Sequence, residues 1–351
     1  MAHSARTTRV VFAWHGLPYY AARLIAHLPK SVDCEVRVIG SESSTSRSDV
    51  EANLGQGVTW VDPNRPTRWG DIRLDAPDLF IHTGWSHSGF NSLARAVKRA
   101  NGRVVSMIDN NKKENLRQLC GALAFRVFHR KRIDAAWVPG ASGHELMRFF
   151  GLPETGIYQG VYGADPGVFP PGPRLASRPK QFVFVGQLIP RKAPDLLVRA
   201  FERFRSRSPD WRLVMIGDGP LRCSLSGESI EVVPFLPPDI IAERLRQSRF
   251  LVLPSHEEHW GLIVHEAALS GCGLILSDMV GSGPDLLTDR NGFLFRSADE
   301  AALYRTLCDA ANTPEHMLDQ MYEESIKVAR RFGPEHFVRS FRQIAESVTH
   351  K

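Results

Sequence analysis

Short apolar runs recur along the chain, each closed by glycine, proline or polar clusters and most followed by residues at helical spacing. Residues 9–13 read as a first strand, His15-Gly16-Leu17-Pro18 as a turn, 20–28 as a helix and 35–39 as a second strand. The polar stretch 40–49 has low helical or strand tendency. Strands follow at 58–61, 79–82 and 102–108, with a loop at 65–74 and a helix at 90–99. Residues 116–128 fit a helix, and 135–138 and 156–159 fit short strands. Between 165 and 179 five prolines gather with Gly167 and Gly172, the composition of a linker.

The rhythm then restarts. A strand at 181–185 precedes a helix at 195–205, with Leu196, Leu197, Ala200, Phe201 and Phe204 on one side. Strands at 211–216 and 230–233, a helix at 240–247 and a strand at 250–253 come next. A loop at 278–285 leads to a strand at 291–295 and to helices at 298–310, 314–330 and 335–348. Strand, turn, helix, strand is the signature of α/β domains with parallel crossovers. A chain of 351 residues exceeds what one core usually serves, so two domains are expected, 1–175 and 176–334.

Composition narrows the class. The chain is 43% hydrophobic and 23% charged, as in ordinary water-soluble domains. The five scattered cysteines lack CxxC spacing and argue for a reducing cytosol over a disulfide framework or zinc site. No apolar run approaches the length of a membrane span, and the basic lead MAHSARTTRVVFAW is not followed by a signal-peptide core. The net charge of +6 is concentrated: eleven Lys and Arg stand between Arg95 and Arg132 against Asp109 and Glu114. That excess predicts an anionic partner: a substrate, a polyanion or an acidic membrane surface. No reading motif for nucleic acid accompanies it, so a nucleic-acid partner is not expected.

The segment PSHEEHWGLIVHEAALSGCG, 254–273, holds the chemistry that most needs a reason. Leu262, Ile263, Glu266, Ala267, Leu269 and Ser270 fall at helical spacing between Gly261 and Gly271. Glu266 sits inside an otherwise apolar turn, and Glu258 lies just before the helix. In the plain reading Glu266 is a wet-face residue and Glu258 a first-turn charge favoured by the helix dipole. Gly186-Gln187, Arg191-Lys192, Gly217-Asp218-Gly219 and Gly281-Ser282-Gly283 all follow strands and would share one sheet rim, a sensible anion site. Arg191 and Lys192 read equally as solvated loop charges. His82 and His87 stand at and beyond a strand end, as binding or as structural histidines, and strand 102–108 empties into Asp109-Asn110-Asn111. A P-loop, GxGxxG after the first strand, GxSxG and HExxH are all missing, against kinases, nicotinamide dehydrogenases, α/β hydrolases and zincins.

In order and spacing these elements resemble retaining nucleotide-sugar glycosyltransferases of the GT-B fold, family 4. Phe184-Val185-Gly186-Gln187-Leu188 with Arg191-Lys192 resembles the family's phosphate loop, VMIGDGPL its glycine turn, and 253–271 its EX7E segment with Glu258 and Glu266 as the glutamates. Ser277 to Asp285 and Asn291-Gly292-Phe293 resemble the two loops that follow, with Asp285 where Glu is usual. The likeness covers about 181–300 and is loose in the first half.

The resemblance implies two Rossmann-like domains facing each other across a cleft, the last helix returning to the first domain. Glu266 would hold the donor's ribose hydroxyls and Glu258 the transferred sugar. Lys192, with Arg191, would face the diphosphate, aided by Gly186, Gly217 and Gly219. Gly16 would close on the diphosphate, and the backbone of Trp260, Gly261, Leu262 and Ile263 would lie beside the sugar and distal phosphate. Gln187 stands where the family has Arg, and Asp109 where it often has a catalytic histidine, with His82 an alternative resident. The nucleotide-diphosphate-sugar is a co-substrate, and neither a cofactor nor an obligatory metal is expected. The acceptor is expected to be a saccharide or lipid-linked saccharide, and the location cytoplasmic, peripheral to the membrane's inner face through 95–132. Other GT-B activities, epimerisation or phosphorolysis, and a non-catalytic binding module are the alternatives.

Overall fold

The structure is a computed structural model that describes residues 7–28, 32–42, 46–113 and 116–349. The chain lead at 1–6, part of the polar stretch at 43–45, and Glu114 lie outside the described residues. The chain divides into two compact units, 1–163 with 334–351, and 164–333. Each is described by itself.

The first unit contains Thr8–Trp14 (β1), Tyr19–Ala26 (α1), Cys34–Gly40 (β2), Arg47–Leu54 (α2), Thr59–Trp60 (β3), Leu79–Thr83 (β4), Ser88–Arg99 (α3), Arg103–Met107 (β5), Leu116–Ala124 (α4), Ala135–Val138 (β6), Ala141–Phe150 (α5) and Ile157–Gln159 (β7). A π-helical turn, Phe125–His129, extends α4. All seven strands are parallel, in the order β3-β2-β1-β4-β5-β6-β7. Parallel strands covered on both faces read as unbroken apolar runs, which is why Val10 to Ala13 are all buried. The final helix, Pro334–Thr349, places Phe337, Phe341 and Ile344 in this core, and Phe337 stacks on Trp137 at 4.6 Å.

The second unit contains Gln181–Val185 (β8), Pro194–Arg205 (α6), Arg212–Ile216 (β9), Ile230–Val233 (β10), Pro238–Arg246 (α7), Phe250–Leu253 (β11), Leu262–Leu269 (α8), Gly273–Ser277 (β12), Gly283–Leu286 (α9), Gly292–Phe295 (β13), Glu300–Ala311 (α10) and Glu315–Ala329 (α11). Its six parallel strands run β10-β9-β8-β11-β12-β13. Every side chain of β11 is fully buried, each worth about 1.5–3 kcal/mol relative to exposure. His265 on α8 is buried too: its Nδ1 accepts the Ala164 amide at 2.9 Å, and its Nε2 donates to the Ala329 carbonyl at 2.9 Å.

Two expectations shift. The unit boundary falls at Gly163–Ala164, upstream of the expected 175, because the proline-rich stretch is sewn to the second unit. Phe169 is buried, the Gly172 amide donates to Ser270 O at 3.1 Å, and the buried Arg178 guanidinium donates to the carbonyls of Pro173, Leu245, Ser248 and Ser270. The polar stretch 40–49 runs into a helix: Ser46 Oγ accepts the Asp49 amide and caps α2.

Candidate functional site

In each sheet the strand order reverses once, between β1 and β4 in the first unit and between β8 and β11 in the second. Loops leaving such neighbours diverge to opposite faces, and the crevice between their carboxyl ends is where open parallel sheets take ligands.

In the second unit that point is occupied by charge. The loop after β8 closes with a 3₁₀ turn, Pro190–Lys192, fastened to the loop after β11. The Arg191 carbonyl accepts the His256 amide at 2.9 Å, and the Arg191 guanidinium donates to Glu257 O at 2.8 Å. The Lys192 ammonium forms an ion pair with the Glu258 carboxylate, with only 12% and 9% of the two side chains exposed. Burial draws the ammonium below its ordinary value, against the pull of Glu258. Glu258 is itself placed by a parallel bridge: its amide donates to Met279 O at 3.2 Å and its carbonyl accepts the Gly281 amide at 2.9 Å. Gln187 is exposed beside this turn.

The second carboxylate follows on α8. Gly261, with φ of 79°, starts the helix in the left-handed region, and a Cβ there would meet Glu258 Cγ at 2.9 Å. Leu262 and Ile263 form the first turn, whose amides have no acceptor one turn earlier within the helix. Glu266, one turn in, is half-buried, and its carboxyl accepts no hydrogen bond among the described residues. Desolvation pushes it up to about 8. Trp260, six residues earlier, is buried, with its indole Nε1 unpartnered among the described residues. Gly217 and Gly219 hold the turn after β9 against the loop after β8: Gly186 N donates to Ile216 O and Leu188 N to Asp218 O, at 3.0 and 2.8 Å. A Cβ on Gly217 would lie 1.9 Å from Gly186 O.

In the first unit the same topological point opens a cavity of about 520 Å³, lined by Trp14, His15, Gly16, His87, Asp109 and Tyr162 among others. Gly16 adopts φ of 58°, and its amide donates to Ser41 Oγ at 2.7 Å. Ser41 Oγ also lies 3.0 Å from His15 Nδ1, and the rings of His15 and His87 are 4.3 Å apart. Tyr162 donates its hydroxyl to Asp109 Oδ2 at 3.1 Å, and burial, with Tyr20 and Asp109 nearby, drives the phenol's pKa well up. His82 does not line this cavity. It is buried beneath Phe80, which it stacks on at 5.3 Å, and burial pushes it down to about 4.

Residues 170–328 match the sequence family described as glycosyl transferases group 1. That match lies within the second unit, residues 164–333. Curated relatives include the D-inositol 3-phosphate glycosyltransferase of Streptomyces scabiei, 34% identical over 38% of this chain and 34% of that protein. Another is the D-inositol 3-phosphate glycosyltransferase of Rhodococcus erythropolis, 30% identical over 55% of this chain and 48% of that protein. The chain spans about half or less of the curated relatives it matches.

Among solved structures, Anabaena HepE with UDP and glucose superposes with a TM-score of 0.74 at 14% identity, over 98% of this chain and 100% of that one. The pneumococcal O-GlcNAc transferase GtfA with UDP and GlcNAc does so with a TM-score of 0.75 at 12% identity, over 99% and 100%. The fold is therefore the GT-B one of two Rossmann-like units.

The structure thus gathers Lys192, Arg191, Glu258, Trp260, Gly261 and Glu266 around one switch point, and Gly16 and Asp109 around the other. Sequence reading missed Tyr162 and Ser41. Ser41 follows the end of β2 and could have been found there, but Tyr162 lies in a loop with no local signal.

Proposed function

We propose that the chain is a retaining glycosyltransferase that moves a sugar from a nucleotide diphosphate to a saccharide or lipid-linked saccharide. The observation that carries this is the nearly buried Lys192–Glu258 pair at the switch point, followed on the helix after the same strand by a carboxylate, Glu266, that accepts no hydrogen bond among the described residues. In this reading the vicinal ribose hydroxyls donate to Glu266, and short bonds to a charged acceptor return what its desolvation costs. The diphosphate takes Lys192 from Glu258, and Glu258 turns to the hydroxyls of the transferred sugar. Arg191 and the first amides of α8 meet the remaining phosphate charge.

The acceptor hydroxyl attacks the anomeric carbon from the side of the leaving group. The sugar–phosphate bond breaks with its electron pair going to the diphosphate, and a phosphate oxygen takes the acceptor's proton. The chain's part is to position reactants and stabilise charge, with no metal ion taking part. Asp109, oriented by Tyr162, is the acceptor-side group in this scheme. We assign the protein to the cytoplasm. No described helix is long and apolar enough to cross a membrane.

A thermal-shift panel of UDP-, GDP- and ADP-sugars tests the reading. At least one donor should stabilise the protein, and Glu266→Ala and Lys192→Ala should weaken that binding about tenfold or more. Variants that bind and turn over the donor as the wild type does would remove the site assignment. Release of a sugar isomer without acceptor would instead point to epimerisation.

A further inference from the structure

Half of the large apolar side chains left exposed among the described residues stand on one short stretch. Leu116 is 79% exposed, Leu119 56%, Leu123 66%, Val127 63% and Phe128 61%, five of ten in all. Positions 116, 119, 123 and 127 succeed one another by three or four residues, so they form a single stripe along α4 and the π-helical turn. The opposite side of the same stretch, Ala122 and Phe125, is buried in the core of the first unit. The fold uses one face of this helix and leaves an equally apolar face in water, an arrangement soluble surfaces rarely keep without a partner.

Cations frame the stripe. Lys112 and Arg117 are exposed at its start, and Lys131 and Arg132 at its end. The last two also line a cavity of about 280 Å³ with Arg95, Lys98, Arg99 and His129. Lys98 is held by Asp134 at 2.7 Å, whereas Arg95, Arg99, Lys131 and Arg132 have no acidic partner among the described residues. His82 lines the same cavity at 1% exposure, and neither of its ring nitrogens has a hydrogen-bond partner. A neutral imidazole keeps one N–H to donate. The cavity is therefore equipped for an anion, and it continues directly from the stripe along the chain.

We propose that this face docks on an anionic phospholipid membrane, the apolar stripe entering the boundary between headgroups and acyl chains and headgroup phosphates occupying the cavity lined by Arg95, Arg99, Lys131, Arg132 and His82. The combination decides the partner. Nucleic acid accounts for the cations and leaves five apolar side chains unexplained. A second copy would bury the stripe but set like-charged rims against each other. A lipid surface satisfies both, as interfacial helices with cationic flanks do. The inference deepens the transferase reading only in what the membrane would carry, a lipid-linked acceptor; the docking itself does not depend on it.

Co-sedimentation with vesicles of phosphatidylcholine alone and of phosphatidylcholine with phosphatidylglycerol tests it. The protein should pellet with the anionic vesicles only, and high salt should release it. The variant Leu119→Ser/Leu123→Ser/Val127→Ser should lose binding about tenfold or more. Arg99→Gln/Arg132→Gln should lose about fivefold per charge removed. Both variants change exposed side chains away from the donor loops, so a wild-type thermal shift with nucleotide-sugar shows that they fold. Wild-type protein that stays in the supernatant, binds neutral vesicles equally, or keeps its binding in the triple variant overturns the proposal. So does a dimer, seen by light scattering, that the triple substitution dissolves. A protein blind to every donor that still pellets with anionic vesicles would sink the transferase reading and leave this one standing.

Discussion

Lys192 and Glu258 lie 66 residues apart in sequence and form a nearly buried ion pair at the point where the second sheet reverses its strand order. Each is the other's main compensation for losing water. Lys192→Met should therefore strand a carboxylate, and Glu258→Leu an ammonium, each costing about 3 kcal/mol. Replacing both should cost less than the sum of the two. Urea denaturation of the four proteins gives the coupling, and additive losses would show that the pair is not a unit.

Glu266 gives a pH signature. Its carboxyl ionises at about 8 in the folded chain against the ordinary 4.5, so between those values the folded state holds more protons than the unfolded one. Stability contributed by this group is then lost as pH rises from 4.5 to about 8. Glu266→Gln should match the wild type at pH 4 and exceed it at pH 9 by about 2 kcal/mol, allowing for partial solvent access. Under the proposed reading, donor binding at pH 7 also expels a proton. The binding heat should then vary with the ionisation enthalpy of the buffer.

Gly217→Ala should fail for a packing reason. The new methyl would sit on the Gly186 carbonyl, and the loop after β8 would have to move with its Arg191–Lys192 turn. A loss of about 3 kcal/mol in stability is expected, together with donor binding. A thermal melt and a donor thermal shift check both. Unchanged behaviour would mean that the two loops slide apart freely.

Under the proposed reading, Tyr162→Phe separates acceptor handling from donor binding. It deletes the hydrogen bond that orients Asp109 and leaves every donor-side group in place. Transfer to acceptor should fall about tenfold while nucleotide-sugar affinity stays unchanged. An equal loss of donor affinity would place Tyr162 elsewhere in the mechanism.

The fold was legible because its rules are local: apolar runs, glycine turns and helical spacing repeat in order, and parallel sheets need little else. The glycine- and charge-bearing loops of the second unit were legible for the same reason, since each follows a strand. What was not legible depended on pairing. Nothing near Lys192 in sequence announces Glu258, because their meeting depends on β8 lying beside β11. His82 stands at a strand end, yet it shares the period-two face of Phe80 and turns inward. The helix at 141–150 buries Leu146, Met147 and Phe150 on one side, a pattern too short to stand out between two strands. The boundary near 175 followed composition, but prolines with buried neighbours make a seam instead of a linker. Exposure of the α4 stripe could not be foreseen, since spacing alone does not say which of two apolar faces is covered.

His265 precedes Glu266 and binds, with its two ring nitrogens, the first residue of the second unit and the end of its last helix. That unit is thus an insertion whose ends meet at one side chain, and its backbone forms a closed circuit sealed by an imidazole. The first unit is held together on its own account, since the final helix packs Phe337 on Trp137 and donates Ser340 Oγ to Gln159 O. The residue that ties the two ends of this unit together is the chain neighbour of Glu266, so a change that loosens the ends also loosens the turn that carries that carboxylate.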